Sequence, residues 1–272
     1  MHVVRRVDTS RGATRVSTIE TYAVADDPFP HILVDGYLDP EIYHALAETF
    51  PECGPNTGPT GYTMFWGDAD YDALIASNAA WRSLFDRFHD QAFIDSAIAQ
   101  FSETFEREST VDLSTAYYVP HQESRAEKER DALGDKGPAP DALWVRVDIM
   151  QGRVGYCRAP HLDHRRRAIS MLIYMCDAEE CGLEGGELVL HEADGTAAKT
   201  IVPRHNRMVM FPCTPTSFHS VRTIVAQKAP RNFVQVTVSS SMDLWKRAPK
   251  STSAALWSRL RSAVHGLRGA MP

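Results

Sequence analysis

The sequence has no apolar run approaching the ~18 residues of a membrane-spanning helix, so no transmembrane segment is expected. Its N-terminus shows no continuous apolar stretch of the kind found in a secretory leader. Cysteine is sparse and odd in number. The five, Cys53, Cys157, Cys176, Cys181 and Cys213, lack the paired spacing of a disulfide framework or zinc motif and read as reduced thiols of a cytoplasmic protein. A basic excess is also missing. Lys and Arg number 29 against 35 Asp and Glu, a formal charge of −6, which gives no global case for nucleic-acid binding. The N-terminal arginines Arg5, Arg6, Arg11 and Arg15 have no interleaved aromatics and read as an edge-strand lead-in.

What is present suits a globular core. Hydrophobic residues make up 43% of the 272, a length that holds one domain with additions. Asp39-Pro40-Glu41 opens a helix: Asp39 caps, Pro40 suits the first helical position, and Glu41 favours the positive end of the dipole. Helical periodicity continues over Tyr71–Ser77, Ala80–His89 and Ala92–Glu106, with Trp81, Leu84, Phe85 and Phe88 on one stripe. From residue 111 the pattern changes to short β-branched and aromatic runs separated by Gly, Pro, Asp and Asn. Eight strands are expected, over Val111–Val119, Leu143–Met150, Ala168–Cys176, Gly186–Leu190, Lys199–Val202, Arg207–Phe211, Phe218–Thr223 and Asn232–Ser239, an antiparallel sandwich or jelly roll. Within Leu143–Met150, Val145, Val147 and Ile149 face the outer helices, while Arg146, Asp148 and Met150 face inward. Arg146 and Asp148 there either neutralise each other or contact substrate.

The expected organisation is one domain over residues 1–272: a helical support region at 28–110, a β core at 111–239, and a basic amphipathic helix, Ser253–Leu267, within 240–272. That helix packs on the body or serves a homodimer. Two stretches poor in regular pattern, 52–67 and 121–140, read as loops placed to cover the barrel mouth, the second, polar and almost without large apolar residues, as a solvated one.

The chemistry concentrates between His161 and Arg231. In a strand, side chains two apart share a face, so His161 and Asp163 can reach one metal ion. A distant histidine, His219, completes a face of two imidazoles and one carboxylate that leaves coordination positions open, an arrangement suited to non-haem Fe(II). Gly152 to Pro160 is the turn delivering His161. His164, His191 and His205 are spare, the last two read as surface residues.

This ordered set, with Tyr174, the run Glu184-Gly185-Gly186-Glu187-Leu188 and Asn206-Arg207-Met208-Val209-Met210-Phe211 between the histidines, resembles the 2-oxoglutarate/Fe(II)-dependent dioxygenases of the prolyl-4-hydroxylase-like branch. The resemblance covers residues 145–239 and, more loosely, Pro28–Pro51. It implies a double-stranded β-helix (jelly roll), mainly β with flanking α. It also implies Fe(II) as metal and 2-oxoglutarate and O2 as cosubstrates, giving a hydroxylase that releases succinate and CO2. By the same resemblance Arg231, at the start of the strand after the second histidine, meets the distal carboxylate of 2-oxoglutarate, and the Tyr174 hydroxyl assists. A guanidinium offers that carboxylate a fixed fork. Arg222 is the competing arginine. Asp163 argues against radical halogenation, which needs a halide in the carboxylate's place. The expected substrate is a small molecule, contacted by Arg146, Asp148, Tyr156, Arg158 and Gln235. Other readings are a protein side-chain (prolyl-type) hydroxylase, a non-catalytic jelly-roll binding protein, and a cupin-like Zn²⁺ or Mn²⁺ enzyme. The last has no use for Arg231.

Overall fold

The computed structural model describes residues 2–7, 16–51, 61–128, 130, 132–133 and 137–246. The expected helix Ser253–Leu267 lies outside them. Strands β1 (His2–Val7) and β2 (Val16–Thr21) form an antiparallel hairpin, followed by β3 (Ile32–Asp35). Helix α1 (Pro40–Glu48) starts as its sequence dictates, with an Asp39 carboxylate oxygen accepting from the Glu41 amide at 2.9 Å. After β4 (Tyr62–Met64) come α2 (Ala69–Ser77), α3 (Ala79–Phe88), α4 (Gln91–Gln100) and α5 (Ser102–Glu108). The single helix expected over Ala92–Glu106 is thus two, broken at Phe101.

The remaining elements are β5 (Tyr117–Tyr118), the short α6 (Arg125–Lys128), β6 (Ala142–Gly152), β7 (Arg158–His161), β8 (Arg167–Tyr174), β9 (Leu188–His191), β10 (Ala197–Ile201), β11 (Arg207–Pro212), β12 (His219–Val221) and β13 (Arg231–Ser239). One sheet runs β3-β11-β8-β13-β6-β4, with β5 alongside β6. The facing sheet runs β10-β9-β12-β7. Eight antiparallel strands, β6 to β13, four in each sheet, make the jelly roll.

Two of the expected strand positions change. Val111–Val119 supplies only Tyr117 and Tyr118, paired parallel to β6. An Asp112 carboxylate oxygen accepts from the Ser114 amide at 2.9 Å, and this turn breaks the stretch before it can extend. The eighth core strand is instead β7, in the segment expected to be a turn; it pairs with β12 and carries His161.

The parity of β6 separates two cores. Val145, Val147 and Ile149 pack with Trp81, Leu84, Phe88 and Ile94 under the helices. On the other face Met150 joins Leu172, Phe211 and Phe233 against Leu188, Leu190 and Val221 of the facing sheet. Full burial of such side chains contributes roughly 1.5–3 kcal/mol each. The first core fixes the helices on the outside of one sheet, and the second packs the two sheets against each other.

The connection between helical region and barrel depends on Asn206. It sits at φ 56, a conformation Asn tolerates better than most residues. Its side-chain oxygen accepts from the Leu38 amide at 2.8 Å and its amide donates to the Leu38 carbonyl at 2.7 Å. Beside it Arg207 forks onto Asp35 at 2.6 and 2.8 Å. Asn206→Ala strands both Leu38 groups and adds φ strain, so a loss of roughly 2–4 kcal/mol is expected in urea unfolding. A loss under ~0.5 kcal/mol rejects this role.

Candidate metal and cosubstrate site

Strand β12 lies between β9 and β7, and His219 stands directly opposite His161 in the register. Their ring centroids are 4.3 Å apart. Asp163 follows β7 closely enough that ligand atoms of His161, Asp163 and His219 all lie within 4.8 Å of one another. They form the one such group of three His, Cys, Asp or Glu residues among the described residues. Each imidazole is oriented from behind. His161 Nδ1 lies 2.9 Å from the Ala159 carbonyl oxygen and His219 Nδ1 lies 3.0 Å from that of Ser217. An Nδ1–H donating to those carbonyls leaves each Nε2 lone pair for an ion. Burial, and then the neighbouring His219, push the His161 pKa down to about 4, with Arg158 adding to the effect, so this imidazole is neutral at physiological pH.

Asp163 is held equally firmly. Its Oδ1 accepts from Arg167 Nη1 at 2.8 Å, and Oδ2 lies 3.7 Å from the Cys213 thiol. Burial pushes its carboxyl up, but Arg167, His219 and His161 together outweigh that and hold it well below the usual carboxylate range. Two imidazole nitrogens and an ionised carboxylate form a donor set suited to a divalent transition metal.

Arg231 lines the same cavity, and Tyr174, buried behind it and outside the lining, meets its guanidinium. Arg231 is fully buried. Its Nε donates to the Gly186 carbonyl at 2.7 Å and its Nη2 donates to the Tyr174 hydroxyl oxygen at 3.1 Å. Its guanidinium lies over the rings of Phe233, Tyr174 and Tyr156, at 4.5, 5.0 and 5.8 Å. Nη1 has no partner. A buried guanidinium with an unused N–H on an apolar floor is costly unless an anion meets it, so the residues fit a carboxylate-bearing cosubstrate. The glycine pair makes the seat possible. Gly186 has φ +84, and a Cβ there would come within 3.2 Å of Arg231 Cδ; at Gly185, φ +89, it would lie 1.9 Å from the Thr223 carbonyl oxygen. Arg222, the competing arginine, is exposed and does not line this cavity.

The cavity has a volume of about 240 Å³. Of the residues expected from sequence, His161, Asp163, His219, Arg231, Tyr156, Arg158 and Gln235 line it. Arg146 and Asp148 do not. Arg146 Nε and Nη2 donate to the two Asp148 carboxylate oxygens at 2.9 and 2.7 Å, and its Nη1 donates to Glu123 at 2.9 Å. Of the two readings open for this pair, the contacts fit mutual neutralisation: three of the five N–H donors of Arg146 are spent on Asp148 and Glu123, and neither Arg146 nor Asp148 lines the cavity. Nor does any described residue of 52–67 or 121–140 line the cavity. The second segment is not simply solvated either: Glu123 and Leu133 are buried.

Sequence reasoning missed Arg167, His164, Ser170 and Leu172 in the lining. Ser170 and Leu172 could have been found by stepping back by twos from Tyr174. Arg167 had only its i,i+4 spacing from Asp163 as a signal. The spare His191 is buried rather than superficial, with Nε2 2.7 Å from the Ser220 hydroxyl. His205 bonds Tyr43 and Glu180.

Residues 147–237 match the family model of the 2OG-Fe(II) oxygenase superfamily. No curated protein matches the chain. Among solved structures, it is similar to an oxidoreductase of the 2OG-Fe(II) oxygenase family from Burkholderia pseudomallei, at 15% identity and TM-score 0.46 over 78% of this chain and 86% of that one. It is similar also to a prolyl 4-hydroxylase from Phytophthora capsici, at 16% identity and TM-score 0.47 over 86% and 68%. A third is a Pseudomonas putida prolyl-4-hydroxylase, at 14% identity and TM-score 0.45 over 80% and 93%.

Proposed function

We propose that this protein, which belongs to the 2OG-Fe(II) oxygenase superfamily through its β core, hydroxylates a C–H bond of a small-molecule substrate. It is an oxidoreductase, and its family uses Fe(II), 2-oxoglutarate and O2. When bound, the ion and cosubstrate supply the oxidation: O2 is reduced, 2-oxoglutarate leaves as succinate and CO2, and C–H becomes C–OH.

The chain's own residues do the placing. His161, Asp163 and His219 would hold the ion, with the two imidazoles fixed by carbonyls behind them and the carboxylate fixed by Arg167. Arg231 would take the distal carboxylate of 2-oxoglutarate, with Tyr174 steadying the guanidinium from the side. Apolar walls at Leu172, Leu188, Val221 and Phe233 limit water around the reacting groups and strengthen each charge interaction there. The observation that carries this reading is the pairing of the ligand triad with a buried, half-satisfied Arg231 in one cavity. The volume of about 240 Å³, below the usual ~300–1,000 Å³ of a ligand pocket, suits a cosubstrate and one reacting group better than a large ligand swallowed whole.

The test uses the full chain reconstituted anaerobically with Fe(II), then given O2, 2-oxoglutarate and a panel of metabolites and of proline-containing peptides. Succinate formation stimulated by a metabolite, with the hydroxylated product found, is the expected result. Stimulation by peptides alone transfers the substrate to the protein class. His219→Ala should lose both turnover and retained iron with an unchanged circular dichroism spectrum. Full iron retention in that variant rejects the triad.

A further inference from the structure

We propose that the primary substrate is a small organic acid, carrying a carboxylate or phosphate, and that Arg158 is the residue that recognises it. This rests on the oxygenase reading above and adds a substrate class to it.

The register between β7 and β12 is the first observation. His161 stands opposite His219, but Arg158 stands opposite Val221, so three steps on β7 match two on β12. In a regular strand residues three apart face opposite sides. The bulge cancels that alternation, as bulges beside active sites do, and turns Arg158 to the face that carries His161. Both residues line the cavity, as do their partners His219 and Val221.

Occupancy is the second. Three arginines line the cavity, and two are committed: Arg167 donates to Asp163, and Arg231 is bound to Gly186 and Tyr174 deep in the site. Arg158 is exposed at the mouth, and no ion pair or hydrogen bond within the described residues engages its side chain.

Charge balance is the third. Asp163 is the sole carboxylate among the lining residues. Against it stand the three arginines and, in the loaded site, a divalent ion. The two carboxylates of 2-oxoglutarate leave a surplus of two positive charges. A cleft walled by low-dielectric residues focuses such a surplus on an incoming ligand. A planar guanidinium at its rim matches a carboxylate or phosphate in two-point geometry. The small cavity keeps the substrate's polar end at the mouth while its reacting carbon points toward the ion.

The experiment measures binding without turnover. The full chain, loaded anaerobically with Fe(II) and saturating 2-oxoglutarate, is titrated by calorimetry with hexanoate, hexyl phosphate and neutral hexanamide. At least one anion should bind ten or more times more tightly than the amide. Arg158→Gln should reduce that preference below twofold, and Arg158→Glu should invert it. Equal affinities for anions and amide in the unaltered chain, or a preference surviving Arg158→Glu, overturn the proposal. So does an anion that binds only when 2-oxoglutarate is left out, which would place it on Arg231. Failure of the oxygenase reading shows separately, as absence of succinate when O2 is admitted to the same preparation.

Discussion

Arg231→Ala should raise the 2-oxoglutarate concentration needed for half-maximal succinate formation at least tenfold. The residue is fully buried, held on one edge by Gly186 and Tyr174, and its Nη1 faces no partner. An anion arriving there gains a charge-assisted bond in a low-dielectric pocket. Removing one member of such a pair typically costs about 2–5 kcal/mol. Every ~1.4 kcal/mol is a factor of ten, so tenfold is the lower bound of the expectation. Arg231→Lys should fall between, because an ammonium keeps the charge but cannot hold Gly186 and Tyr174 while also meeting a carboxylate through two bonds. Arg222→Ala should do nothing, since that side chain is exposed and outside the cavity. The reverse outcome, a large effect at Arg222 and none at Arg231, removes Arg231 from the cosubstrate site. Thermal unfolding of each variant separates a lost ligand contact from a lost fold.

Arg231 was singled out by the family resemblance; what alternation alone made legible is that Arg231, Phe233 and Gln235 share a face, and β13 does place all three along the cavity as period two requires. The spacing of His161 and Asp163, and the strand expected over Phe218–Thr223 for His219, were legible as a pattern. Strand β7 itself was not. Cys157, Arg158, Ala159 and Pro160 carry little β propensity, and the segment is a strand because β12 supplies its partner, bulge included. Conversely Val111–Val119 has strand-like composition but an Asx turn at Asp112 and no long partner. Both errors share a cause: pairing is a tertiary property, and local composition reports it only where a strand alternates for several residues. The three consecutive arginines 165–167 show the limit more sharply. Nothing local says that Arg165 bonds Asp243 and the Trp245 carbonyl, Arg166 the 123–130 segment, and Arg167 the carboxylate of Asp163.

The segment after β5 was read as solvated because it is polar, and here the partner of each charge decides the matter. Glu123 is buried, with Oε2 accepting from Arg146 at 2.9 Å and Oε1 from Arg166 at 2.8 Å. Arg146 is also forked onto Asp148, so two carboxylates and two guanidinia neutralise one another. Arg166 then spends three further donors on backbone carbonyls of Arg130, Glu127 and Ser240, at 2.7, 2.6 and 2.9 Å. Glu123 is therefore the pin between this segment, strand β6 and the residue that leads into β8. Glu123→Ala leaves two buried guanidinia with one carboxylate between them. Breaking a buried ion pair from one side costs about 3–5 kcal/mol, a large share of the ~5–15 kcal/mol that holds a typical domain folded. The expected result is a drop of that size in urea unfolding at unchanged m-value. Glu123→Gln should lose less, since its carbonyl oxygen still accepts one bond. Adding Arg146→Met to Glu123→Ala should recover no more than part of the loss, because Arg166 and Asp148 stay behind, each short of a partner. If Glu123→Ala costs under ~1 kcal/mol, water reaches the network, and the segment is held by its carbonyl contacts to Arg166 rather than by charge.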